Sequence, residues 1–445
     1  MDAVDPAAET AADDSVVGRP TLAGQRNGWW TRVGAIAALG LFVRVAYVLL
    51  VARDIELGAD ATWYLLVGGS IREGLGFVDP ETLFTTGDTV ATANFPPLYP
   101  AFLAAVQAVF GTSETVAQLA GAFVGATTVV LAAVMARRLA GDRSGVVTAA
   151  LVAVSPMLIA ADGSLMSEVL YVPLVTAAVL LALRAGDSGE WWSWVGLGVA
   201  LGLAALTRTE ALMLVVFLVL PILWWARNPV RERWIGVIGT GLVVLAVIAP
   251  WVLRNNSAVD DATISNVSPA TALAGSNCDS TYSGPSIGSW EYECTRPELR
   301  AELGESEWTE QIRSDAVDHL RDNLDRLPLV LTARELRVWG LWGPSDLVRR
   351  DAEETRTEWF QWAVRITGVA TLVAGAAGIW LLRGSGRKTV VLLAPIAMVA
   401  TTALLSHGNP RFRTVAEPEL LVGCAVALLA LWGRRRGEGS TSWRT

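Results

Sequence analysis

The stretch PPLYPAFLAAVQAVFG, Pro96–Gly111, decides how the chain is threaded. By composition it passes for a membrane helix. A bilayer core asks for about 20 mostly apolar residues, and this run falls short. Counted as a crossing, it would send every later arginine cluster to the opposite side. Read as a helix lying at, or dipping into, one membrane face, with Pro96 and Pro97 in its first turn, it leaves one consistent orientation.

Outward from this stretch the chain is dominated by long apolar runs. Of 445 residues, 52% are hydrophobic and 18% charged, and the mean hydropathy is +0.42. Such a composition belongs to an all-α polytopic membrane protein. About ten transmembrane helices are expected, near 33–52, 116–136, 145–161, 168–183, 192–207, 210–226, 234–253, 361–382, 389–405 and 415–432. The net charge of -8 owes much to a small, polar N-terminal tail carrying Asp2, Asp5, Glu9, Asp13 and Asp14. Such a tail reads as disordered. No basic run points to nucleic acid, and no cleavable leader is visible. The run GLGVALG, Gly196–Gly202, has no strand before it and reads as small-residue helix packing, not a dinucleotide fingerprint.

Arginines orient the spans. Clusters precede the first span (Arg19, Arg26, Arg32) and follow the second, sixth, eighth and tenth. All fall on one side if the chain starts inside, the positive-inside pattern. Both termini are then cytoplasmic. The expected organisation is a disordered cytoplasmic tail over 1–28 and a transmembrane module over 29–253, with a first outer loop at 53–115. An extracytoplasmic region over 254–360, transmembrane helices over 361–433 and a basic cytoplasmic tail over 434–445 complete it.

Five helix ends bring ionisable groups to the outer face. They are Asp60; Asp162 and Glu168; Arg208 and Glu210; Arg254 with Asn255; and His407, Arg411, Arg413 and Glu417. Charges at such depth are costly and point to function. A carboxylate can take a proton from an attacking hydroxyl, and arginine offers a rigid fork of donors to a phosphate. Together these suit sugar transfer from a lipid phosphate. Arg44, by contrast, lies mid-span, where it contacts a lipid phosphate or a bundle carboxylate, or snorkels. Cys278 and Cys294, in NCDSTYSGPSIGSWEYEC, are expected to pair in an oxidising compartment. Cys424 reads as a packing residue within the tenth span.

The motifs GADATWYLLVGGSIREGLGF (Gly58–Phe77), FPPLYPAFLAAVQAVFG, SLMSEVLY, LTRTEALML, PWVLRNN and NPRFRTVAEP occur in an order and spacing that resembles the GT-C glycosyltransferases. The resemblance is to the bacterial branch near the protein O-mannosyltransferases and aminoarabinose transferases, over roughly residues 30 to 432. It implies a GT-C-like fold and transfer, with inversion, from a polyprenyl-phosphate sugar donor to an extracytoplasmic acceptor: an envelope glycan, lipid or protein. It implies Asp60 as catalytic base, with Glu168 favoured over Asp162 as a second acid. It places Arg411 and Arg413 at the lipid phosphate, with Arg208, Arg254 and His407 also on the donor side. Tyr64 and Tyr99 would shape the acceptor side, although Tyr64 reads equally as an interfacial aromatic. The chain departs from relatives that pair Asp with Glu in the first loop, since Ala61 follows Asp60. No cofactor is implied with certainty, and a divalent cation is left open. The rival readings are a secondary transporter or flippase and a non-catalytic envelope-assembly subunit.

Overall fold

The computed structural model describes residues 22–435. Of the expected tails, 1–28 and 434–445, residues 1–21 and 436–445 lie outside these residues, while 22–28 begin the first helix and 434–435 end the last. Extended pairing among the described residues is confined to one isolated bridge, Val78 with Ala91; the rest is helix and connection.

A long first helix, α1 (Leu22–Leu50), leads into a segment holding α2 (Ala59–Arg72), α3 (Pro80–Thr86) and α4 (Leu98–Phe110). A run of packed helices follows: α5 (Glu114–Ala140), α6 (Asp142–Ala153), α7 (Pro156–Gly163), α8 (Glu168–Ser188) and α9 (Trp191–Ala205). The stretch 209–225 is irregular, with a π-helical turn at Val215–Val219, and α10 (Val230–Ala258) closes the first part. The second connecting segment carries α11 (Val267–Ser276), α12 (Glu305–Asp322), α13 (Leu327–Val338) and α14 (Pro344–Ala352). The chain ends in α15 (Glu358–Leu382), α16 (Leu393–Leu405) and α17 (Glu417–Arg435).

Among the described residues, six helices are long and apolar enough to cross a membrane, and the bent pair α6–α7 raises the number to seven. These coincide with seven of the ten expected spans. The other three fall on shorter apolar helices, Trp191–Ala205, Thr209–Trp225 and Thr389–Leu405. Length and composition alone therefore carry up to seven crossings. The long helices turn apolar side chains outward, among them Phe42, Leu245 and Val373. Such an outer surface suits lipid and would be costly in water.

The decisive stretch forms α4. Its 13 residues rise about 20 Å, well short of a bilayer core of about 30 Å. The Leu98 amide donates to the Leu206 carbonyl at the end of α9, 2.9 Å. Tyr99 and Leu103 pack under α2 with Tyr64. The helix thus lies against the end of the bundle.

Pro156 explains the bend between α6 and α7, which is 52°. Proline cannot donate within a helix and disfavours helical backbone before it. The break strands carbonyls that would need partners in a lipid-embedded bundle. Arg44 supplies them, donating to the carbonyls of Ala153, 3.1 Å, and Val152, 3.3 Å. Its Nε pairs with Asp162 at 2.6 Å. Any side chain at Gly125 would collide with that carboxylate, 2.0 Å from a Cβ. Of the three roles open to Arg44, the bundle carboxylate is the one observed. Gly198 and Gly202 pack against Val243 and Val247 of α10, where a Cβ would come within 2.7 Å. That is the small-residue packing expected of GLGVALG.

Candidate active site

Asp60 lies in the first turn of α2. The Gly58 amide just before it donates to the Thr355 hydroxyl, 2.8 Å, which ties the start of α2 to the segment before α15. Glu168 opens α8, Arg208 follows α9, and Arg411 lies between α16 and α17. The topology returns all these chain ends to one end of the bundle.

There they form one network. Arg411 Nε approaches Glu168 Oε1 at 2.8 Å. Arg411 Nη1 approaches Asp60 Oδ2 at 3.3 Å and Glu354 Oε2 at 3.2 Å. Arg208 donates to the same Glu168 oxygen at 2.9 Å and to Glu210 at 2.5 Å. Asn409 donates to Glu354 Oε1 at 3.1 Å. Two guanidiniums thus hold four carboxylates. The carboxylates differ in access: Asp60 is 37% exposed, Glu354 24%, Glu210 17% and Glu168 3%. Asp60 is the most accessible of the four.

Burial among protein atoms pushes the Asp60 carboxyl above the usual carboxylate range. Arg411 pulls it back down, while Glu354 and Glu168 push it up. The carboxyl is thus reachable, and neighbouring charges act on its ionisation in both directions. His407 is held neutral: burial first, then the charges of Arg334, Arg411, Arg208 and Arg350, push its ring down to about 3. Its Nδ1 lies 2.8 Å from the Ser406 hydroxyl, and its ring packs edge-on against Phe412.

Of the other expected residues, Tyr64 borders the network one turn after Asp60, and Asp162, Arg413 and Arg254 are committed elsewhere. Asp162 is paired with Arg44 inside the bundle. Arg413 donates to the Gly368 carbonyl and to Glu417. Arg254 donates to the carbonyls of Phe77 and Thr92, at 2.6 and 2.7 Å, and so pins the first loop. Tyr64 and Tyr99 are buried and meet edge-on, ring centroids 5.0 Å apart. Burial raises both hydroxyls well above the ordinary tyrosine range. Cys278 and Cys294 are joined in a disulfide, and Cys424 is a buried free thiol.

Sequence reasoning missed Glu354. Its signal was present in EETRTEW, 353–359, where acidic and basic residues stand at a helix entry as they do at the other five ends. Among the described residues, no group of three or more His, Cys, Asp or Glu side chains is placed to hold a metal ion. The clustered carboxylates face guanidiniums, so no step below is routed through a metal.

The sequence profile of the dolichyl-phosphate-mannose-protein mannosyltransferase family matches residues 94–253. The folded chain is similar to the archaeal oligosaccharyltransferase AglB from Archaeoglobus fulgidus, solved with an inhibitory peptide and a dolichol-phosphate. That match has a TM-score of 0.54 at 13% identity, covering 93% of this chain and 52% of the other. The fold is GT-C.

The same oligosaccharyltransferase, solved tethered to an acceptor peptide containing the NVT sequon, matches with a TM-score of 0.52 at 12% identity. It covers 95% of this chain and 52% of that one. ArnT from Cupriavidus metallidurans, solved with undecaprenyl phosphate, is a looser likeness: TM-score 0.41, 16% identity, covering 92% and 79%. No curated protein matches the sequence. The GT-C likeness is one of fold, and the chain spans about half the length of the solved oligosaccharyltransferase. The superfamily resemblance read from the motifs is upheld at that level.

Proposed function

We propose that the chain is an integral membrane glycosyltransferase. It transfers a sugar from a polyprenyl-phosphate-linked donor to an extracytoplasmic acceptor, with inversion. The observation that carries this reading is the ion pair of Asp60 and Arg411, open on the Asp60 side and braced by Glu168 and Glu354. The mannosyltransferase profile over 94–253 supports the donor class.

In this reading the acceptor oxygen attacks the anomeric carbon and its proton passes to Asp60. The bond from that carbon to the lipid phosphate breaks, and the phosphate leaves with the electron pair. Arg411 keeps Asp60 ionised and aimed. Arg411 and Arg208 together fix Glu168 beside it. Arg413 and Arg254, committed to backbone carbonyls, support the bundle and the first loop. Asp162 has the same supporting character, which leaves Glu168 as the second acid. Ten crossings, cytoplasmic termini and an outward-facing site follow from the arginine clusters.

A transporter would draw on interrupted helices near the midplane. The α6–α7 break is such an interruption, but Arg44 occupies its carbonyls, so the break favours a braced bundle. The test is to incubate membranes containing the protein with labelled polyprenyl-phosphate sugars. Transfer of label to an acceptor, absent from membranes without the protein, is the expected result. Movement of intact donor across the bilayer without transfer would favour the flippase.

A further inference from the structure

Arg411 and Arg208, expected at the lipid phosphate, are already engaged by four carboxylates. Bringing a phosphate into that cluster adds negative charge to a site where acids outnumber arginines. The structure holds another arginine beside it with the opposite character. Arg356 is only 6% exposed, and among the described residues nothing accepts a hydrogen bond from its Nε or Nη2. A buried guanidinium without acceptors is costly and rare. It directly follows Glu354, which reaches Arg411, and Thr355, which holds the start of α2. Its charge acts on Glu168 and on Tyr47.

Tyr47 adds a second donor. Its ring packs against Phe360, one turn beyond Arg356, with centroids 4.7 Å apart. Among the described residues its buried hydroxyl has no hydrogen-bond partner. The next residue, Gln361, is fully buried with both amide atoms unpartnered. Arg356 and the Tyr47 hydroxyl therefore sit where α1, α7 and α15 meet, next to the Asp60 network, and among the described residues Arg356 Nε and Nη2 and the Tyr47 hydroxyl have no hydrogen-bond partner.

We infer that Arg356, assisted by the Tyr47 hydroxyl, is an oxyanion subsite that grips the phosphate oxygens of the donor. A planar fork of donors fits two phosphate oxygens, and the subsite supplies the positive charge that Arg411 has already given to carboxylates. This rests on the lipid-phosphate reading above and moves the phosphate from the Arg411–Arg413 loop to the α1–α15 seam.

The test is a binding titration of the full-length protein in detergent, followed by thermal shift, with polyprenyl phosphate, polyprenol and inorganic phosphate as probes. Wild type should be stabilised by polyprenyl phosphate and not by polyprenol. Arg356→Gln should weaken that binding by tenfold or more. Arg356→Lys, which keeps charge but loses the fork, should fall between, and Tyr47→Phe should lose less. Inorganic phosphate competing in wild type but not in Arg356→Gln would assign the subsite to phosphate itself; no competition, with the lipid effect intact, would assign it to the headgroup on its chain. Unchanged lipid affinity in Arg356→Gln overturns the inference. If that variant does not fold, unchanged affinity in both Arg356→Lys and Tyr47→Phe does so. If wild type fails to bind polyprenyl phosphate at all, the donor reading itself falls. If Arg411→Gln alone abolishes binding, only the placement at Arg356 falls.

Discussion

In the proposed reading Asp60 is the base, and its surroundings give it a pH signature. Burial raises its folded pKa, so the carboxylate is the proton-accepting form only above a pH higher than the ~3.9 of free aspartate. Transfer should therefore fall as pH drops through that raised value. Glu354→Gln removes a charge that raises Asp60 and should move the acid limb down. Arg411→Gln removes a charge that lowers it and should move the limb up. A pH–rate profile checks both signs, and shifts in the opposite sense would reject the electrostatic account. Asp162 is the contrasting residue. With Arg44 it forms a buried pair, so Arg44→Ala should cost about 3–5 kcal/mol of stability by leaving a lone buried carboxylate. Thermal melting in detergent measures this, and an unchanged melt would contradict it. The sequence could mark Asp60, Glu168, Arg208 and Arg411 because each stands at a helix end where charge is conspicuous. It could not separate Arg411 from Arg413. That distinction depends on which way each side chain turns in the short helical stretch after Asn409. Glu354 was hidden because its segment looked like an ordinary loop, and its partner lies far along the chain.

Among the elements, the segments outside the bundle hold the site together. The disulfide-closed stretch between Cys278 and Cys294 accepts a hydrogen bond from the Gly408 amide on the Gly288 carbonyl, 2.9 Å. Arg337 and Arg350 anchor the same stretch through Pro285, Ile287, Trp290 and Glu291. Gly408 lies three residues before Arg411, so loosening this stretch should disturb Arg411. Closing a loop of this size contributes about 3 kcal/mol in the chain-entropy model. Cys278→Ser with Cys294→Ser, or reduction, should lower the melting temperature and the transfer rate together. Reduced protein that keeps full activity would remove the proposed link. At this scale the helices were legible from apolar run length and proline position. The irregular 209–225 stretch and the 52° bend were not. Both depend on packing: Arg44 reaches from α1 to rescue carbonyls on α6, and no local pattern announces that.

For the whole molecule, the ten-span reading puts the arginine clusters at the opposite end of the bundle from the carboxylate network. That separation is the basis for an outward-facing site. In a variant lacking the native cysteines, single cysteines at the exposed positions Val90 and Glu310 should react with an impermeant reagent added outside. Cysteines at Arg143 and Arg231 should not, and the reverse pattern would invert the proposed topology. The shared fold was read from the order and spacing of this chain's own motifs, although identity to the solved oligosaccharyltransferase is only 13%; the number of crossings was not legible, because three apolar helices are too short to settle it by length. The central claim is that Asp60 is the base of a sugar transfer from a lipid phosphate. Its most direct measurement compares purified wild type with Asp60→Asn, using a labelled polyprenyl-phosphate sugar and matched melting and lipid-binding controls. The account predicts that Asp60→Asn folds and binds donor but loses transfer by about 10²–10⁴-fold. Transfer at near wild-type rates by a folded, donor-binding Asp60→Asn would contradict it.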